Sequence, residues 1–287
     1  MIFENQIHLA DCFDLLPEIE SASVDLIFTD PPYISALNDL NDWNDGLDWN
    51  QLAIEFDRVL KPAGQLALLC DWTTGQMMTT ALRDRFKFRF IWIWQKPCGQ
   101  PINKKMPLAE VELIAVYSKK KSRLKDLTFN WRDIADRGEP YRRTFNRQNN
   151  TRKTIKPYVS ESTGIRYPRQ ILNFPSKCNL PESERTDHPT QKPLGLCGYV
   201  LKALSNPGDL VCDPFSGSGT SAIACHKLGR NFICIERDLK YYVKSVERLK
   251  NETSQGDLFT RNETSLAGLN DPGQIKGNIA VMAENRL

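Results

Sequence analysis

The chain has 287 residues, 40% hydrophobic and 25% charged, with a net charge of +3. That composition belongs to a soluble globular protein long enough for one large domain or two smaller ones. There is no run of eighteen apolar residues, and Met1-Ile2-Phe3-Glu4-Asn5 leads straight into patterned sequence, so neither a membrane span nor a signal peptide is expected, and a cytoplasmic location is expected.

Residues 6–10 read as a short strand ending at Asp11, and residues 12–19 as a short helix. Residues 24–28 are short, β-branched and aromatic, which predicts a buried strand. Asp30-Pro31-Pro32-Tyr33 stops that strand, because each proline fixes φ and lacks an N–H donor. A carboxylate, a stiff turn with free carbonyls and an aromatic ring thus sit at a strand's C-terminal end, where open α/β sheets bind ligands. Residues 34–49 form an insert with Asp39, Asp42, Asp45 and Asp48 at every third place. Their spacing does not match an EF-hand, and a mobile loop beside the turn is expected.

Residues 47–60 have helical periodicity, closed by Lys61-Pro62-Ala63-Gly64. A strand at 65–70, a helix at 75–85 and strands at 88–94 and 110–117 follow. From 118 to 185 no period is sustained, but seven aromatics (Phe129, Trp131, Tyr141, Phe145, Tyr158, Tyr167 and Phe174) favour a packed subdomain over disorder. Between Tyr117 and Leu180 stand 16 Lys and Arg against 5 Asp and Glu, while the remainder of the chain is net acidic. A basic segment set into an acidic body points to a polyanionic partner.

Alternation returns with a helix at 193–204, a strand at 209–212, a helix at 218–228, a strand at 231–235 and a helix at 239–249. The whole predicts an α/β fold with a mainly parallel sheet. Residues 251–287 are polar, repeat Asn-Glu-Thr-Ser, and read as a largely disordered tail. Cys12, Cys70, Cys98, Cys178, Cys197, Cys212, Cys225 and Cys234 are scattered without a C-x-x-C pair and read as buried free thiols. His8, His188 and His226 lack metal-ligand spacing, so no structural metal is expected.

A second chemical stretch, Asp213-Pro214-Phe215-Ser216-Gly217-Ser218-Gly219-Thr220, follows a strand and opens a helix. Its glycines allow a sharp turn and close approach of backbone to ligand. A phosphate-binding P-loop needs a lysine that this stretch lacks. Glu236 ends the next strand, where an acid can hold the ribose hydroxyls of a nucleoside. A nucleoside cofactor is therefore expected.

Asp30-Pro31-Pro32-Tyr33, the glycine loop and His188-Pro189-Thr190-Gln191-Lys192-Pro193 together resemble the S-adenosylmethionine-dependent DNA amino-methyltransferases. The catalytic turn precedes the cofactor loop by 183 residues with the basic segment between them, which resembles the circularly permuted β class. The likeness covers about residues 6–250. It implies a permuted Rossmann-like methyltransferase: a catalytic half at 1–117, a target-recognition insert at 118–185, a cofactor half at 186–250 and a tail at 251–287.

The resemblance also implies roles. Asp30, Pro31, Pro32 and Tyr33 would be catalytic. Asp213, Pro214, Phe215, Ser216, Gly217, Ser218, Gly219 and Thr220 would bind S-adenosyl-L-methionine, mostly at its methionine portion, and Glu236 its ribose. Asp11 would reach the cofactor's adenine, although Ala10 stands where the family usually has glycine. Thr190 and Lys192 would contact the methionine carboxylate. The activity implied is methyl transfer to the N6 amine of a flipped-out adenine in double-stranded DNA, held by the basic insert. Alternatives are N4-cytosine, an RNA or protein amine, or a silent DNA binder. In the family, Asp at the turn's first position leans to adenine and Ser to cytosine. In the tail, Gln255, Leu258 and Phe259 resemble a short sliding-clamp-binding peptide.

Overall fold

The structure, a computed structural model, describes residues 4–33, 47–100, 105, 107–145 and 158–267. The chain divides into two units, Met1–Ser245 and Val246–Leu287. In the first, strand β1 (Gln6–Leu9) leads to helix α1 (Cys12–Leu15), which a 3-10 turn at Leu16–Glu18 extends. Strand β2 (Val24–Thr29) is buried along nearly its whole length. Helix α2 (Trp49–Val59) follows, and its N-cap is Asp48, which accepts from the amides of Asn50 and Gln51 at 3.0 Å each. The fourth aspartate of the series thus satisfies helix donors. The other three, and the expected mobile loop at 34–46, lie outside the described residues.

Strand β3 runs Leu60–Cys70, five residues earlier than expected. Lys61-Pro62-Ala63-Gly64 does end the helix, but the chain continues extended, pairing Val24 with Leu60 and then Leu26 with Gln65 across a register shift. Proline and glycine are tolerated in a strand at such an irregularity. Helix α3 (Trp72–Leu82), capped by Asp71 through the Thr74 amide, and strands β4 (Phe86–Gln100) and β5 (Ala109–Lys119) complete the first half.

The basic segment holds β6 (Asp136–Arg137), β7 (Tyr141–Phe145), β8 (Tyr158–Ser162), β9 (Ile165–Arg166) and β10 (Ile171–Asn173). β6 pairs with β9 and β7 with β8, both antiparallel, while β10 joins the main sheet. Then come α4 (Leu194–Leu204), β11 (Leu210–Asp213), α5 (Thr220–Lys227), β12 (Asn231–Glu236) and α6 (Leu239–Ala267).

Eight strands form one sheet in the order β1-β12-β11-β2-β3-β5-β4-β10. It is parallel except at β3–β5 and β5–β4. Strand side chains alternate between faces. Ile27, Cys212, Ile233 and Ile235 join Leu52, Phe56, Met78 and Leu82 of α2 and α3 in one core. The intervening Leu26, Phe28, Val211 and Cys234 are buried on the opposite face. The insert packs on the far edge of the sheet through Phe129, 5.6 Å from Phe90, while Tyr167 packs within the insert, 5.2 Å from Trp131. Phe174 reaches Tyr199 of α4 at 5.7 Å, and the Trp94 indole donates to its carbonyl at 3.0 Å.

Among the described cysteines all are free, and six are buried; Cys178 is exposed. No helix of the described residues is long and apolar enough to cross a membrane.

Helix α6 continues into the second unit, well past the expected stop near residue 249 and through both Asn-Glu-Thr-Ser repeats. No proline interrupts before Pro272. Hydroxyls that elsewhere favour turns bond back within the helix, Thr253 and Ser254 both donating to the Lys250 carbonyl at 2.9 and 2.8 Å. Residues 251–267 are thus helical where disorder was expected. Gln255, Leu258 and Phe259 fall within this helical backbone, and the tail beyond Ala267 lies outside the described residues.

Candidate active site

The Asp-Pro-Pro-Tyr turn and the glycine loop are far apart in sequence and adjacent in space. β11 and β2 are parallel neighbours, with Val211 opposite Leu26 and Cys212 opposite Ile27. Both strands therefore end side by side, and their C-terminal ends open into one cleft of about 550 Å³. The Thr29 hydroxyl joins the two by donating to Asp213 Oδ1 at 2.6 Å.

At the turn, both oxygens of Asp30 are held. The Tyr33 hydroxyl donates to Oδ1 at 2.7 Å, and the Lys192 ammonium donates to Oδ2. Lys192 is itself buried and lies 5.4 Å from the Tyr33 ring centroid. A second carboxylate completes the group: Glu112 of β5 receives Lys96 at 3.0 Å, the Tyr33 hydroxyl at 3.2 Å and Lys192 at 3.5 Å. Burial pushes the Asp30 carboxyl above its ordinary value; the Lys192 ammonium opposes this and Glu112 adds to it. Burial also pushes Glu112 up, but Lys192 and Lys96 outweigh it and hold the carboxyl below the usual range. Burial pulls the Lys192 ammonium down, and the two carboxylates more than restore it.

At the loop, Asp213 is buried and accepts from Thr29, from Ser221 of α5 and from the Phe215 amide at 3.1 Å. Burial nonetheless lifts its carboxyl to about 6. Gly217 has φ +52° and Gly219 φ +73°, left-handed values that favour glycine. A Cβ at Gly217 would stand 2.9 Å from His188 Nε2. Glu236 accepts the Gly217 amide at 2.7 Å and the Asp238 amide at 2.8 Å, which fixes the loop against the end of β12. Ser216 lines the cleft with a buried hydroxyl that has no hydrogen-bond partner among the described residues. A roomy cleft with an orphaned hydroxyl, a backbone free of side chains and an acid beside it fits a nucleoside cofactor.

The cleft gathers nearly every expected site residue: Asp11, Asp30, Pro31, Pro32, Tyr33, Thr190, Lys192, Asp213 to Ser218, Thr220 and Glu236. Gly219 is not on its wall and serves as the left-handed N-cap of α5. Asp11 caps α1 through the Phe13 amide at 2.9 Å. Lys192, expected at the cofactor's carboxylate, is held by Asp30, Glu112 and the Thr190 carbonyl. Sequence reasoning gave no role to Glu112, Thr29 or His188. His188 lines the cleft, its ring 4.5 Å from Tyr241, and burial with Lys192 and Lys177 nearby pulls its pKa down to about 4. Only its place in the His-Pro-Thr-Gln-Lys-Pro stretch signalled it.

A mainly parallel sheet with a nucleoside cleft at the ends of β11 and β2, and an Asp-Pro-Pro-Tyr turn on its rim, defines the Rossmann-like methyltransferase class. A family model described as DNA methylase, for N6/N4 methyltransferases, matches residues 24–247. The chain belongs to that family, whose cofactor is S-adenosylmethionine.

The type II methyltransferase M1.MboII of Moraxella bovis is 30% identical over 254 residues, 84% of this chain and 95% of that protein. The DNA adenine methyltransferase YhdJ of Escherichia coli is 31% identical over 250 residues, 83% of this chain and 80% of its own length. Among solved structures, the M1.HpyAVI–SAM complex superposes with a TM-score of 0.57 at 27% identity, covering 85% of this chain and 98% of that one. The cytosine-N4-specific PvuII DNA methyltransferase gives 0.59 at 16% identity, covering 87% and 91%, and shares the fold.

Proposed function

We propose that this protein transfers the methyl group of S-adenosylmethionine to the N6 amine of adenine in double-stranded DNA. The observation that carries the reading is the Asp30 carboxylate at the end of β2, one residue beyond the hydroxyl that bonds the cofactor loop. Asp rather than Ser at the head of the turn favours adenine over cytosine, and the relative from Escherichia coli is named for adenine.

Adenine's amino lone pair is delocalised into the ring, so the nitrogen is a poor nucleophile. Two acceptors on its hydrogens favour a pyramidal nitrogen with an available lone pair. Asp30 and the Pro31 carbonyl supply them, with negative charge placed where positive charge develops. Tyr33 offers a ring for the base to stack on. The base must leave the duplex to reach the turn, at an unstacking cost of roughly a few kcal/mol. Bound S-adenosylmethionine supplies the electrophilic methyl group. The chain's own contribution is to hold the amine in line for attack. Asp213, Phe215 to Ser218 and Glu236, which line the cleft, would form the cradle for the cofactor, and Asp11 would reach its adenine. The basic insert holds DNA phosphates, with specificity left to the side chains that reach base edges.

The test is incubation with methyl-labelled cofactor and duplex DNA, RNA or protein, followed by digestion and mass identification of the product. N6-methyladenine from DNA is expected. Label on N4-methylcytosine, or on RNA alone, would sink the adenine reading. The tail peptide supports a sliding-clamp contact as a minor reading. A pull-down in which Leu258→Ala with Phe259→Ala holds the clamp as well as wild type would remove it.

A further inference from the structure

Glu112 lies on β5, outside every motif, and two places from β2 in the sheet. Its side chain is half-buried, with 15% of its surface exposed. The groups that face it are Lys96 from β4, Lys192 from the segment before α4, Tyr33 and Asp30 from the catalytic turn, and the Cys70 thiol from the end of β3.

The geometry is specific. Asp30 Oδ1 is held by the Tyr33 hydroxyl and Oδ2 by the Lys192 ammonium, so both oxygens already carry a donor. Both donors also face one oxygen on the other side: Glu112 Oε2 stands 3.2 Å from the Tyr33 hydroxyl and 3.5 Å from Lys192 Nζ. Lys96 occupies only Oε1, at 3.0 Å. An amine that donates to Asp30 must share or displace one of these donors. A buried ammonium cannot leave one carboxylate unless another receives it.

We infer that Glu112 is a positioning residue, whose Oε2 receives the Tyr33 hydroxyl and the Lys192 ammonium as the target amine takes their place on Asp30. The inference rests on the amine-methylating reading above, which supplies the group that Asp30 must accept. The exchange breaks no covalent bond: hydrogen bonds move from one carboxylate to the other, and the cluster's charge is unchanged. Without Glu112, the acceptors left to Lys192 among the described residues are Asp30 and the Thr190 carbonyl, and it stays where the amine must bind.

Glu112→Gln in the full chain tests this, because the amide keeps the shape and removes the charge. S-adenosylhomocysteine and duplex DNA should bind within about twofold of wild type. Single-turnover methyl transfer should fall by roughly 100-fold, the scale of removing one preorganised electrostatic group. The acid limb of its pH profile should also move to lower pH, since Glu112 no longer pushes Asp30 up. An unchanged rate, or a slower rate with an unmoved acid limb, overturns the inference and leaves Glu112 a structural charge.

If Glu112→Gln cannot bind S-adenosylhomocysteine, Glu112→Asp carries the test. Retaining the charge, it should keep the wild-type acid limb and most of the rate; a moved limb would count against the inference. Wild-type protein that methylates no amine in any substrate would remove the reading on which the inference rests. An active wild type with an equally fast Glu112→Gln would remove the inference alone.

Discussion

The Thr29 hydroxyl donates to Asp213 Oδ1 at 2.6 Å, tying the strand that ends in the Asp-Pro-Pro-Tyr turn to the strand that ends in the glycine loop. Asp213 is 5% exposed, and its other side-chain oxygen accepts from Ser221. Thr29→Val keeps the shape and removes one donor from a buried carboxylate. The expected cost is about 1–3 kcal/mol of stability, together with weaker cofactor binding. Denaturant unfolding and titration with S-adenosylhomocysteine read the two effects. Unchanged affinity would mean that the bond ties strands without shaping the loop.

The same carboxylate sets one part of the pH dependence. Burial raises the folded pKa of Asp213 from 3.8 to about 6, so the folded state holds this proton more tightly than the unfolded chain. Its contribution is greatest below about pH 4 and is lost as pH rises through 6, a change on the order of 3 kcal/mol. His188 acts in the opposite sense. Its folded pKa falls from 6.5 to about 4, so its contribution is present above pH 6.5 and lost as pH falls toward 4. The two oppose each other over the same window. Relative to wild type, Asp213→Asn should gain stability as pH rises from about 4 to 6, and His188→Gln should lose it. Unfolding free energies of the three proteins across that range check both signs; parallel curves would contradict the assignment.

How far the sequence revealed this site depends on what made each part distinctive. The strand before Asp30 was legible because a β-branched run stopped by two prolines has few other readings, and the glycine loop because its residues permit left-handed backbone at Gly217 and Gly219. Glu112 was hidden. Along β5 it alternates with Glu110 like any solvent-side residue, and only the sheet order brings it to Tyr33. β10 was hidden for another reason, since three residues are too few to show a period. In α6 the stretch from residue 251 read as disordered because it is polar and irregular, and in its first Asn-Glu-Thr-Ser repeat the Thr253 and Ser254 hydroxyls bond within the helix.

Asp30→Ala separates chemistry from cofactor binding. Methyl transfer should fall by about a thousandfold or more, the scale of losing the group that handles the reacting proton. Affinity for S-adenosylhomocysteine should stay nearly intact, because Lys192 keeps Glu112 as a partner and the glycine loop is untouched. Single-turnover kinetics and calorimetry measure the two. Equal loss of both would show that the turn also shapes the cofactor site.

Gly217→Ala attacks the loop from the other side. The residue has φ +52°, and a Cβ would stand 2.9 Å from His188 Nε2. Left-handed backbone costs a non-glycine residue roughly 1–2 kcal/mol, and the His188 ring must move as well. Cofactor affinity should drop by about tenfold or more while DNA affinity stays unchanged. A parallel drop in DNA affinity would mean that the loop also touches the duplex.

Two arginines test the role of the insert. Arg142 and Arg143 lie on β7, which among the described residues pairs with β8 in a two-stranded sheet separate from the main one. Arg142 is 3.1 Å from Glu161, with both side chains mostly exposed, so the pair contributes little stability. The Arg143 guanidinium lies 4.7 Å from the Tyr141 ring centroid, which stiffens it without consuming its charge. Neither arginine lines the cleft. If they hold phosphates, the double change Arg142→Ala, Arg143→Ala should weaken duplex binding uniformly across sequences. It should also flatten the dependence of log affinity on log salt by about 0.9 for each phosphate no longer neutralised. Cofactor binding and unfolding midpoint should not move. Titration of labelled duplexes at several salt concentrations measures the slope, and an unchanged slope would assign the DNA contact to another part of the insert.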